Sequence, residues 1–269
     1  MKLLFVGDVF GRSGRDALQK YIPELKSKLS PDMIVVNGDN AAHGRGITRK
    51  ICEEFFDLGV DCVTGGDHIW DQSEILNYIG NEPRLLRPAN YPDVTPGVGV
   101  YVHKLESGRE VVMIHLQGQV FMRETESPFQ KVDKILESHK LGPAKSIFVD
   151  LHCEATSEKM MMGKYLDGRV SGVFGTHTHV PTADAHVLDK GTAYQTDVGM
   201  CGDYNSVIGA RMEDAMYRFL TRMPRALIPA DGEATLCGCF IETDNQTGLA
   251  KSIAPVRIGP RLPQALPDV

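Results

Sequence analysis

The chain has 269 residues, 42% of them hydrophobic, enough for one packed domain with an ordinary core. Its 35 acidic against 29 basic residues leave a formal charge of -6, which argues against a broad electrostatic grip on a nucleic-acid backbone, so no extended groove for one is expected. Every apolar run is strand-sized, far from the ~20 residues that cross a bilayer, and the first is cut by Asp8 before it reaches a signal-peptide core; a cytoplasmic protein with no membrane partner is predicted.

In chain order, strands at 3–6, 33–36 and 61–64 alternate with helices at 14–29, 48–58 and 72–79, the rhythm of βαβ units and a parallel sheet. Apolar runs at 98–102 and 111–114, joined by the turn Glu106-Ser-Gly-Arg109, read as an antiparallel hairpin. A helix around 129–138 and strands at 146–149 and 172–174 resume the α/β pattern. Strands at 183–187, 192–194, 235–242 and 250–256 follow, with one helix at 213–222. The Pro-rich tail from about 260 reads as loose coil, and Met160-Met-Met as helix packing. No repeat or linker divides the chain, so residues 1–269 are expected to form a single domain of mixed α/β class.

The six cysteines form no C-x-x-C pair and are expected to be reduced; Cys237 and Cys239, two apart in a strand, share a face that reads as buried.

The polar clusters fall at strand ends. Asp8 follows the first strand, Asp39-Asn40 the second and Asp67-His68 the third; later strands run into His152 and into His177-Thr-His179. Carboxyl ends of parallel strands form a rim where ligands bind, so five loops converge on one site. Singly, each has an ordinary reading: Asp8 as a helix cap, Asp39-Asn40 as an Asx turn, His152 as a core histidine. Jointly they point to metal, because imidazole with carboxylate and no thiolate suits Zn, Fe, Mn or Co. One ion takes four to six donors; this set suits two ions sharing a bridging carboxylate, able to clamp a phosphoryl group and activate a water. Gly38, Gly65, Gly66 and Gly175 permit tight turns and close backbone approach there.

The motifs Phe5-Val-Gly-Asp8, Asn37-Gly-Asp-Asn-Ala-Ala-His43, Gly66-Asp-His-Ile-Trp-Asp71, Arg87-Pro-Ala-Asn90, His152-Cys-Glu-Ala-Thr and Gly175-Thr-His-Thr-His-Val-Pro181 occur in the order found in one family. In them the chain resembles the YmdB-type metallophosphoesterases, within the calcineurin-like phosphoesterase fold. The resemblance implies an α/β/β/α sandwich of two mixed sheets with two metals at the strand ends. One metal would be held by Asp8, Asp39, Asn40 and His179, the other by Asp39, Asp67, His152 and His177, with Asp39 bridging. His68 would be the general acid that protonates the leaving alkoxide. The family is associated with hydrolysis of phosphodiesters, notably 2′,3′-cyclic nucleotides, and with iron or manganese; magnesium or zinc also fit the donors.

Two positions depart from the family, which usually has Glu at Asp39 and Asn at Asp67. Asp39 shortens the bridge by one methylene. Asp67 turns an amide ligand into a carboxylate, which is expected to tighten metal binding but weaken the metals' pull on an anionic diester, or to favour a more highly charged ion. His115 and Gln119 stand where the family has Asn and Arg. His43, Asn90 and Thr178 are candidate substrate contacts, and Trp70 is either a base-stacking or a core residue. The expected function is therefore dinuclear phosphodiester hydrolysis of a small nucleotide by a metal-bridged hydroxide. The alternatives are a phosphomonoesterase or nucleotidase on the same scaffold, or a regulatory protein that binds metal or nucleotide with little turnover. A homo-oligomer is compatible with all three.

Overall fold

A computed structural model describes residues 1–267. The first half contains β1 (Lys2–Val6), β2 (Asp8–Val9), α1 (Gly11–Leu29), β3 (Met33–Asn37), α2 (Arg49–Asp57), β4 (Cys62–Thr64), α3 (Ile75–Tyr78), β5 (Leu85–Leu86), β6 (Val100–Lys104), β7 (Glu110–Gln117) and α4 (Pro128–Ser138). The second contains β8 (Lys145–His152), α5 (Thr156–Leu166), β9 (Gly172–Thr176), β10 (His186–Val187), β11 (Ala193–Gln195), β12 (Met200–Gly202), α6 (Met212–Thr221), β13 (Thr235–Thr243) and β14 (Ala250–Ile258).

Strand alternation builds the layers. Along β1, Leu3 and Phe5 point one way and Leu4 and Val6 the other; β3 repeats this with Met33 and Val35 against Ile34 and Val36. The first set meets Val111, Met113, Phe148 and Phe174 of the second sheet in a core sealed between the sheets. The opposite faces pack under α1 and α2 on one side, and against α4 and α5 on the other. The result is the four-layer α/β/β/α sandwich, with all six cysteines buried and unpaired. Cys239 lies in the inter-sheet core.

The eight-stranded sheet runs β2-β12-β13-β1-β3-β4-β5, with β14 on β13; the six-stranded sheet runs β10-β11-β9-β8-β7-β6. Within the first, β1, β3, β4 and β5 are parallel, while β13 enters antiparallel beside β1. Within the second, β7, β8, β9 and β11 are parallel, and β6 closes the expected hairpin with Val100 opposite Ile114. Both sheets are mixed.

Some expectations change. The helix at 72–79 shortens to the single turn of α3, and the strand at 183–187 to two residues. The tail after Pro260 turns back, and Arg257 and Ala265 exchange backbone hydrogen bonds, so it is tied to β14 and is not loose. Of the three methionines on α5 only Met162 is buried; Met160 and Met161 face solvent. Trp70 is half-buried, packs against the core under the first sheet and meets Tyr91 edge-on.

Candidate metal centre

Register sets the site. Val6 pairs with Val36 and Asn37 with Thr64, so three adjacent parallel strands end together and deliver Asp8, Asp39-Asn40 and Asp67-His68 side by side. On the other sheet His152 pairs with Thr176, placing it next to His177. The five loops thus come from the rims of two sheets, three from one and two from the other.

Gly66 is what allows the halves to touch. A Cβ there would lie 2.4 Å from His152 Nε2 and 2.6 Å from the Asp39 carboxyl carbon, far inside contact distance. His177 (φ 97°) and His179 (φ 67°) occupy left-handed backbone that non-glycine residues rarely adopt, a strain found where function over-determines geometry. A fully buried ion pair holds that loop. Lys159 Nζ donates to Asp197 Oδ2 at 2.6 Å and to the Thr176 carbonyl at 2.8 Å, while Asp197 Oδ2 accepts from the Thr178 amide and hydroxyl.

The bond network fixes which nitrogen each histidine presents. Thr176 spends its one hydroxyl proton on Asp150 Oδ1 at 2.8 Å, so at 2.9 Å it can only accept from His152 Nδ1. His152 therefore turns its Nε2 toward Asp67 Oδ1 (3.1 Å) and Asp39 Oδ2 (3.4 Å). Likewise His179 Nδ1 donates to the Ile208 carbonyl at 2.7 Å, leaving Nε2 facing Asn40 Oδ1 at 3.1 Å. The Asn40 amide nitrogen is already given to the Gly44 carbonyl, so two acceptors face each other. Asp8 is fully buried, with one oxygen accepting from the His177 amide and Oδ1 left without a hydrogen-bond partner. That orphan lies 3.8 Å from both His152 Nδ1 and His179 Nε2. The lone pairs of His179 Nε2, Asn40 Oδ1 and Asp8 Oδ1 converge with no proton between them, which fits a cation, and the nitrogen–oxygen donor set fits the metals of that class.

Electrostatics agree. Burial pushes the Asp8 carboxyl above its ordinary pKa. Burial alone would lower His152, but the Asp39, Asp67 and Asp8 carboxylates outweigh it and raise it well above its usual value. Burial alone would raise Asp67, but hydrogen bonds with His152 and His177 hold it far below the carboxylate range. The shifts of His152 and Asp67 express close contact between imidazoles and carboxylates, and that of Asp8 its removal from water. Cys153, next in sequence, is no competitor: burial and Glu158 push its thiol up to about 12, and it donates to that glutamate at 3.1 Å.

Asp67, His152 and His177 form one compact ligand group, and Asp39, Asp67 and His68 another. His68 Nδ1 lies 2.9 Å from Asp71 Oδ2, which also accepts from Arg45, and its Nε2 stands 4.0 Å from Asp67. A cleft of about 590 Å3 opens over the cluster, walled by His68, His177, Thr178, Glu154 and Arg45 and by the apolar Phe10, Ile208 and Leu227. His43 is exposed in a turn whose neighbours Gly44 and Arg45, not His43, form the wall. Asn90 is fully buried, and its amide is consumed by Gln117, Thr125 and Glu126, bracing a buried loop. His115 is buried 3.2 Å from Asp150, and the Gln119 side chain is spent on the Thr125 carbonyl.

Asp71, Asp150, Glu154, Lys159 and Asp197 carry no role in the sequence reading. Only Asp71, three residues after His68 on the same turn, had a local signal.

A two-sheet sandwich with this Asp, Asn and His cluster at its strand ends defines a metallophosphoesterase-type hydrolase. The family model described as YmdB-like protein matches residues 4–256, and the chain belongs to that family. It is 46% identical over 259 residues to the Bacillus subtilis (strain 168) 2′,3′-cyclic-nucleotide 2′-phosphodiesterase, covering 96% of this chain and 97% of that protein. Among solved structures, a hypothetical protein from Thermus thermophilus superposes with a TM-score of 0.90 at 39% identity, covering 96% of this chain and 99% of that one. A novel phosphatase from Mycoplasma pneumoniae also superposes at 0.90, with 34% identity and 96% and 93% coverage. With relatives that are a phosphodiesterase and a phosphatase, the chain is a phosphoric ester hydrolase.

Proposed function

We propose that the protein is a dinuclear metal-dependent phosphodiesterase acting on small cyclic nucleotides, with 2′,3′-cyclic nucleotides as the substrate class. The observation that carries this reading is a convergence of metal-ligating atoms: the orphaned Asp8 oxygen and the opposed His179 Nε2 and Asn40 Oδ1, beside His152 Nε2 held between two carboxylates. In this reading Asp8, Asn40 and His179 hold one ion, Asp67, His152 and His177 the other, and Asp39 serves both. Iron or manganese suits these donors. Bound there, the ions would supply Lewis-acid stabilisation of the phosphoryl oxygens and an acidified water.

The protein's own groups do the rest. Asp71 accepts from His68 Nδ1 and so orients the ring, leaving Nε2 to deliver a proton to the departing alkoxide. Arg45 on the cleft wall draws in the anionic diester, and Thr178, its hydroxyl proton committed to Asp197, offers a lone pair to a ribose hydroxyl. Phe10, Ile208 and Leu227 give the base an apolar wall, in a cleft of nucleotide size. Because the site draws on both sheets, we take the chain as one domain. No described helix is long and apolar enough to cross a membrane, and with six free cysteines a cytoplasmic enzyme is the reading we favour.

The test is hydrolysis of 2′,3′-cyclic AMP, bis-p-nitrophenyl phosphate and mono-p-nitrophenyl phosphate by stripped protein reconstituted with Mn2+ or Fe2+. Diester turnover that needs metal and falls at least about a hundredfold in His68→Ala supports the proposal. Faster monoester cleavage points instead to a phosphomonoesterase, and full metal occupancy without turnover to a binding protein.

A further inference from the structure

Glu154 stands between the metal centre and the open cleft. The loop that carries it is pinned from below: buried Cys153 donates to Glu158, which also accepts from the Gln119 and Val120 amides, and the Lys159 amide returns to the Ala155 carbonyl. With Cys153 turned in, Glu154 turns out, its side chain half exposed. It reaches His177, whose Nδ1 faces His152 Nε2 (3.2 Å) and Asp67 Oδ1 (3.4 Å) while its Nε2 lies 3.2 Å from Glu154 Oε2. A histidine that gives Nδ1 to a metal keeps its proton on Nε2, and here a carboxylate is placed to accept it.

The cleft supplies a second observation. Glu154 is the one carboxylate among the residues that line it, and the other permanently charged walls, Arg45 and Arg218, are cations. Arg45 is already paired with Asp71 at 2.8 Å, whereas no lysine or arginine among the described residues pairs with Glu154. A phosphoryl group bound beside His177 therefore meets a negative charge on the wall. At neutral pH a phosphomonoester carries about two negative charges and a phosphodiester one, so this carboxylate opposes the monoester about twice as strongly.

We propose that Glu154 is a positioning and specificity-determining residue: it orients His177 through Nε2, and its charge selects phosphodiesters over phosphomonoesters. The inference rests on the metal-dependent phosphodiesterase reading above. It assigns to one side chain a choice that the metal ligands, which suit either ester, do not make.

Two variants separate the contact from the charge. Glu154→Gln keeps the length and an oxygen for the Nε2 proton but loses the charge; Glu154→Asp keeps the charge but withdraws it from His177 by one methylene. The position is exposed, so unchanged melting temperatures are expected for both. Mn2+ affinity of stripped protein is measured by calorimetry, and kcat/KM at saturating Mn2+ is compared for mono- and bis-p-nitrophenyl phosphate. Glu154→Gln is expected to raise the monoester-to-diester ratio at least about fivefold, mainly through a lower monoester KM, with Mn2+ affinity within about threefold of wild type. Glu154→Asp is expected to weaken Mn2+ binding about tenfold and to leave the ratio within about twofold. An affinity unmoved by Glu154→Asp overturns the proposal. Wild-type protein that cleaves the monoester faster contradicts the diesterase reading and takes this inference with it, whereas a wild-type diesterase whose ratio Glu154→Gln does not move overturns the inference alone.

Discussion

The two sheets contribute opposite chemistry to one site. The eight-stranded sheet supplies the anions and the amide, Asp8, Asp39, Asn40 and Asp67; the six-stranded sheet supplies the imidazoles His152, His177 and His179. Their support differs as well. The carboxylate half is positioned by short turns at the ends of adjacent parallel strands, with Gly66 kept bare so that Asp39 and His152 can meet. The imidazole half stands on buried polar scaffolding: Asp150 and Thr176 under His152, Lys159 and Asp197 under the strained 177–179 loop. The ligand group Asp67, His152 and His177 draws on both sheets, whereas Asp39, Asp67 and His68 come from the eight-stranded sheet alone.

Four substitutions separate the halves, from the largest expected effect down. Lys159→Met strands Asp197 as a buried unpaired charge, and denaturant unfolding is expected to show a loss of about 3–5 kcal/mol. Adding Asp197→Leu should recover most of it; no recovery would mean the pair is not what holds the loop. Gly66→Ala drives a methyl into His152 and Asp39, so turnover falls at least about a hundredfold. Bound metal, measured by mass spectrometry, should fall with it in protein that still unfolds cooperatively. Thr176→Val removes the acceptor of the His152 Nδ1 proton and lowers metal affinity about 10- to 100-fold, while Thr176→Ser restores it. Loss in both variants would point to packing rather than to the hydroxyl. Smallest is Asp67→Asn, which removes one of the crowded carboxylates: a few-fold weaker metal binding with equal or faster diester turnover is expected. Identical affinity and turnover would remove the charge argument.

The carboxylate half was the more legible in sequence. Strands β1, β3 and β4 announce themselves by apolar runs, and their polar residues follow at once. His152 and the His177/His179 pair were legible for the same reason. Their scaffolding was not, because its partners are joined only in space, as with Lys159 and Asp197 across 38 residues. Helix α5 escaped full reading because Glu158 and Lys159 occupy its buried face while Met160 and Met161 face out, reversing the amphipathic signature. Strands β2, β5 and β12 are two or three residues long, too short for any period to register. The Pro-rich tail looked loose because a single backbone exchange at Arg257 and Ala265 leaves no compositional mark.

The most direct measurement is a titration of metal-stripped protein with Mn2+ in which bound metal and bis-p-nitrophenyl phosphate hydrolysis are followed together. If the two halves build one dinuclear site, hydrolysis stays low through the first equivalent, rises with the second and then stops rising. Full activity at one equivalent, or without metal, would contradict it.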